Sequence, residues 1–112
     1  MPSQPLERSE HYLKTRTGFY QALVDRLKTF DVRNTKDRGA GAFRAGDTVI
    51  FLEYDPGDKD DKGVWGRFTG RSCRAAISYV LEGPVPESFG FGWSLPAGIA
   101  IIAIRDLEEV VT

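Results

Sequence analysis

Apolar and polar residues follow one another along this chain in short patterned runs, and the spacing of each run predicts an element. "HYLKTR", residues 11–16, alternates and reads as a first strand. Thr17 is then placed to cap a helix, because Phe19, Tyr20, Leu23, Val24 and Leu27 recur at the spacing of one helical face. "KTFDVR", residues 28–33, predicts a second strand with Phe30 and Val32 on one face and Thr29, Asp31 and Arg33 on the other. "NTKDRGAGA" is a loop, and "FRAGD" a turn in which Gly46 supplies a positive φ. "DTVIFLEYD" is rich enough in β-branched and aromatic residues to be a buried strand. After the acidic turn "DPGDKDDKG", the stretch "VWGRFTGRSCRAAISYVLEG" alternates long enough for one bent strand or a hairpin, with Gly66 and Gly70 marking a bend or bulge. A loop dense in Pro, Gly and aromatics, "PVPESFGFGWSLPAG", leads to the apolar closing strand "IAIIAIRDL". One early helix and about five strands predict an α+β domain on a small, curled, mostly antiparallel sheet or barrel.

Composition narrows the class. At 112 residues the chain has room for one core, and 41% hydrophobic with 28% charged residues is the balance of a folded domain. No apolar run reaches the roughly 18 residues of a membrane helix. Residues 1–10, "MPSQPLERSE", lack the apolar centre of a signal peptide. A flexible polar leader, a single domain over residues 11–112 and a cytoplasmic location are expected. With one cysteine and one histidine, neither an internal disulfide nor a Cys/His zinc site can be assembled in the chain, and no cofactor is expected. Cys73, mid-strand between Ser72 and Arg74, reads as structural.

A net charge of −1 argues against gripping a long duplex DNA track by bulk charge. The distribution is uneven: Arg26, Lys28, Arg33, Lys36, Arg38 and Arg44 stand against Asp31 and Asp37, and an acidic stretch follows at 53–62. A neutral but polarised chain suits a local anion site.

The polar face of "KTFDVR" is the natural place for one. Arg33 carries a planar fork that pairs with phosphate or carboxylate and reads base edges; the plainer reading is an ion pair with Asp31 on the same face. Lys28, at the helix-to-strand junction, is a cation for phosphate or, if desolvated, an amine base or nucleophile, against a lysine that neutralises the helix dipole. Asp31 is placed to orient Arg33, hold the Lys28 ammonium or accept from a base amine, whereas Thr29 reads as a strand former. In the late loop, Phe89, Phe91 and Trp93 offer stacking faces, worth roughly 1–3 kcal/mol per base, or a plug for the barrel end. Phe89 is assigned to the plug and Trp93 kept as a ligand contact.

Taken together, "HYLKT", "KTFDVR", "KDR", "FRAGDTVIFLEYD", "FTGR", "YVLEG" and "FGWSLPAGIAIIAI", in this order, resemble the DUF3850 family of the ASCH superfamily over about positions 11 to 106. The resemblance implies a PUA-like β-barrel with a cleft beside the motif, and a role in binding RNA or nucleotides. The ASCH signature, G-x-K-x-x-E-x-R, is matched at Lys28 and Arg33, with Asp31 in place of Glu and Arg26 in place of Gly. Loss of that glycine predicts a different helix-to-strand turn. The resemblance also makes His11 and Lys14 candidates for the cleft wall and Arg38 a candidate phosphate contact. A structural hydrogen bond for the histidine and a solvated loop arginine are the plainer readings. Some ASCH proteins are amidohydrolases that deacylate acylated cytidine with a lysine, a threonine and a separate glutamate. Asp31 stands here where they have the threonine, and a carboxylate does not simply replace that hydroxyl.

The expected function is a small domain that binds single-stranded RNA or a nucleotide through Lys28, Asp31 and Arg33, with Arg38, His11, Lys14 and Trp93 around the ligand. The first alternative is a hydrolase, amidohydrolase or ribonuclease-like, with Lys28 as base or nucleophile and Asp31 or Glu53 as its carboxylate; it predicts a Lys28 that titrates well below a free amine. The second is a protein-interaction module of a phage or mobile element that offers an exposed apolar patch.

Overall fold

A computed structural model describes residues 9–90 and 92–110. Of the sequence expectations, most of the polar leader and Phe91 lie outside the described residues. Alternation builds β1 (Glu10–Arg16), β2 (Phe30–Asn34), β3 (Thr48–Lys59), β4 (Trp65–Glu82) and β5 (Ile99–Val110), with α1 (Thr17–Val24) between the first two. They form one mixed sheet in the order β1-β3-β4-β5-β2. β1 runs parallel to β3, and the other three pairings are antiparallel. No ladder joins β1 to β2, so the sheet has two edges and is not closed into a barrel.

Alternate residues of four strands point to one core: Leu13 from β1, Val49 and Phe51 from β3, Cys73, Ala75 and Ile77 from β4, and Ala100, Ile102 and Ile104 from β5. An eight-residue helix is too short to persist alone. Burial of Tyr20 and Leu23 in that core holds α1 in place. The helix begins at Thr17 rather than after it, and the Thr17 hydroxyl donates to Glu53 instead of capping. Leu27 falls beyond the helix and is exposed.

The turn after α1 is left-handed. Arg26 itself adopts φ 62°, the left-handed conformation that a glycine would take without strain. Its guanidinium donates to Val24 O and Leu107 O, tying the turn to β5. β4 is one continuous strand with positive φ at Gly66 and Gly70, and its pairing with β3 shifts register beside Glu53 and again between Asp55 and Lys59. β3 runs on through much of the expected acidic turn, which contracts to a tight turn between Asp60 and Val64. Phe89, assigned to a plug, is 66% exposed. Among the described residues no helix is long and apolar enough to cross a membrane.

Candidate ligand-binding cleft

β2 is the strand whose faces are reversed. Its apolar residues, Phe30 and Val32, are about half exposed at 47% and 49%, while Asp31 is buried and Arg33 half-buried. A carboxylate tolerates that position only if its charge is met. Both oxygens are met: Lys28 Nζ donates to Oδ1 at 2.7 Å and Arg33 Nε donates to Oδ2. The rest of the Arg33 fork crosses to the other edge of the sheet, donating to Lys14 O at 2.9 Å and to Thr15 Oγ1 at 3.1 Å. One guanidinium therefore bridges the seam that the backbone leaves open.

The seam forms a cleft of about 420 Å³. Lys14, Thr15 and Arg16 of β1 line one side, Phe30, Asp31, Val32 and Arg33 of β2 the other, and Phe19 and Lys28 complete it. The Lys28 ammonium lies 4.7 Å from the centroid of the Phe19 ring and 5.8 Å from that of Phe30. Both rings are substantially exposed. Four basic side chains stand against one carboxylate in this lining. The arrangement offers cations to an anion and ring faces to a flat group.

Of the candidates read from sequence, Lys14, Lys28, Asp31 and Arg33 meet in this cleft, and the others lie elsewhere. His11 is buried, its Nε2 2.8 Å from Asp47 Oδ2 and its ring 4.7 Å from that of Phe43. Asp47 also accepts from the backbone N–H of Ser9 and of Arg44. Burial pushes the Asp47 carboxyl up, but those hydrogen bonds and the nearby His11 charge outweigh it and hold the group below the usual carboxylate value. Arg38 stacks over Phe43 at 5.5 Å and reaches Tyr12 O at 3.5 Å, outside the cleft lining. Trp93 sits in the loop before β5, also outside that lining.

Glu53 has a network of its own. It is buried and accepts from Thr17 at 2.9 Å and Thr69 at 2.6 Å, with Arg71 3.6 Å away. Burial pushes the Cys73 thiol up to about 11, which leaves it inert at neutral pH. No three His, Cys, Asp or Glu side chains stand together as a metal would need, among the described residues.

The cleft also contains residues that sequence reasoning passed over. Phe19 and Phe30 carry the apolar periodicity of a helix and a strand, which by itself does not separate a core ring from a cleft ring. Phe30, two residues from Lys28, is the better signalled of the two. Arg16 shares the outward face of β1 with Lys14 by simple alternation.

Among family models, that of a domain of unknown function (DUF3850) matches residues 10–104. No match was found among curated proteins.

Proposed function

The chain belongs to the DUF3850 family, and on that footing we propose that it binds a nucleotide or single-stranded RNA in the cleft between β1 and β2. The observation that carries this reading is the cluster of Lys28 and Arg33 around the buried Asp31 carboxylate, open to a cleft flanked by two exposed rings. An arginine has five N–H donors and a lysine three. Arg33 commits three of its donors to Asp31, Lys14 and Thr15, and Lys28 commits one to Asp31, which leaves two on each for a phosphate or a base edge. Lys14 and Arg16 add charge at the rim, and Phe30 or Phe19 supplies a stacking face.

Two further features support a place in the ASCH superfamily, with the open sheet as a PUA-like barrel whose seam is bridged by side chains. Lys28 and Arg33 keep the signature spacing, and Arg26 keeps a left-handed turn where the signature has glycine. Binding is favoured over catalysis by the company of Lys28: a carboxylate and two ring faces are all partners for a cation. Glu53, the other carboxylate considered for catalysis, has Thr17, Thr69 and Arg71 as its partners.

An NMR titration of labelled protein with short RNAs and with acylated nucleosides tests the reading. Shifts centred on Phe19, Lys28, Phe30 and Arg33, with the ligand chemically unchanged over hours, are expected. Ligand turnover that disappears in Lys28→Ala would make the protein an enzyme, and an undisturbed cleft with both panels would remove the proposal.

A further inference from the structure

Cations and aromatic rings also stand side by side on the outward face of the sheet, next to the cleft. In the ladder Arg16 of β1 is opposite Tyr54 of β3, and Tyr54 is opposite Phe68 of β4. Directly opposed residues have neighbouring side chains, so the three form one row across the strands. Lys14 Nζ lies over the Tyr54 ring, 4.3 Å from its centroid. The rings of Tyr54 and Phe68 meet edge-on with centroids 5.2 Å apart. Tyr54 is held there by Gly66, where an added Cβ would come within 1.7 Å of the tyrosine hydroxyl. Phe68, at the end of the row, is 53% exposed. Lys14 and Arg16 also line the cleft, so the row starts where the cleft ends.

We propose that this row is a second nucleotide subsite, and that the ligand is single-stranded nucleic acid longer than one nucleotide. The inference rests on the reading of the cleft as a nucleotide site and extends it. A nucleotide seated on Lys28 and Arg33 sends its backbone over β1, where Lys14 and Arg16 meet the next phosphate. The following base lies on Phe68, whose ring accepts any base because every base has a flat face. Two strand spacings of roughly 5 Å separate β1 from β4, on top of the seam that Arg33 spans, which puts Phe68 beyond the reach of a single nucleotide.

The far side of the row sets the length of the site. Asp60 and Asp61 border the hollow next to Tyr54, Gly66 and Phe68, with Arg67 as the one cation in its lining. Two carboxylates against one guanidinium leave the hollow net negative and unfavourable to a further phosphate, so the track stops there. The footprint is short, below the roughly 4–16 nucleotides that an OB fold accommodates.

Equilibrium binding of uridine monophosphate, a uridine tetranucleotide and a uridine octanucleotide to the full chain tests this. The tetranucleotide is expected to bind at least about tenfold tighter than the monophosphate, and the octanucleotide no tighter than the tetranucleotide. Phe68→Ala, at an exposed position, lowers tetranucleotide affinity about tenfold and leaves the monophosphate unchanged, whereas Phe30→Ala weakens both. Equal affinity for monophosphate and tetranucleotide, with Phe68→Ala silent, overturns the second subsite and leaves the cleft reading standing. Failure of all three ligands to bind overturns the cleft reading, and the extension with it.

Discussion

Asp31 and Asp47 are equally withdrawn from water, at 4% and 3% exposure, yet they sit in two different kinds of place. Asp47 is met by two backbone N–H groups and by His11, which packs against Phe43. These partners fix the turn before β3 and the start of β1. Asp31 is met by two cations, and each has donors left over that face an open cleft. Burial of a carboxylate therefore does not mark a ligand site. What sets the proposed site apart is the spare hydrogen-bonding capacity of the partners of Asp31.

The comparison breaks first at Asp31. Asp31→Ala leaves Lys28 and Arg33 close together without the charge between them, and Arg33 loses the anchor from which it bridges the seam. A loss of about 3 kcal/mol in urea unfolding is expected, together with loss of ligand binding in whatever remains folded. If stability were unchanged, the seam would be held by something other than this cluster.

Asp47→Asn tests the other half. The amide accepts at one atom only, so of Ser9 N, Arg44 N and His11 at least one loses its acceptor, and about 2 kcal/mol of stability goes with it. Ligand affinity of the folded protein stays as it was; a clear drop would place Asp47 in the site. Acid sharpens the test. The Asp47 pKa is depressed in the folded state, so its contribution is fully present above the unfolded value near 4 and is lost as pH falls through the lower folded value. The stability gap between wild type and Asp47→Asn should therefore shrink as pH falls below about 4, measured by thermal unfolding across pH.

The same pair of aspartates shows what the sequence revealed and what it hid. Asp31 and Arg33 were recognisable as one polar face by alternation, with Lys28 at the junction before it, and the long runs of β3, β4 and β5 read as strands. Alternation says which side chains share a face, but not which face turns inward. With Phe30 and Val32 available, the apolar face of "KTFDVR" would be assigned to the core by default. Mutual pairing of three charges reverses it, and no single-strand pattern contains that information. The parallel pairing of β1 with β3 was equally hidden, because register between strands some 40 residues apart depends on where α1 docks. His11 kept its partner hidden for the same reason, with Asp47 36 residues away.

The two sites also differ in the turn that delivers each aspartate, and the smallest effects are expected there. Asp47 follows Gly46 at φ 94°, while β2 is reached through Arg26 at φ 62°. Glycine takes such angles freely and an L-residue with a Cβ does not. Gly46→Ala should therefore cost about 1 kcal/mol. Arg26→Gly relieves a similar strain but gives up two hydrogen bonds, to Val24 O and Leu107 O, and loosens the unfolded chain. The two costs outweigh the relieved strain, and a net loss of about 1 kcal/mol is the expected balance. Ligand affinity separates two meanings of that arginine. If Arg26→Gly leaves binding by the folded protein intact, the left-handed turn alone is what presents Lys28, and glycine serves as well. If the folded protein binds less well, the tether from Arg26 to β5 is what holds Lys28 on Asp31, and the strained turn is part of the site.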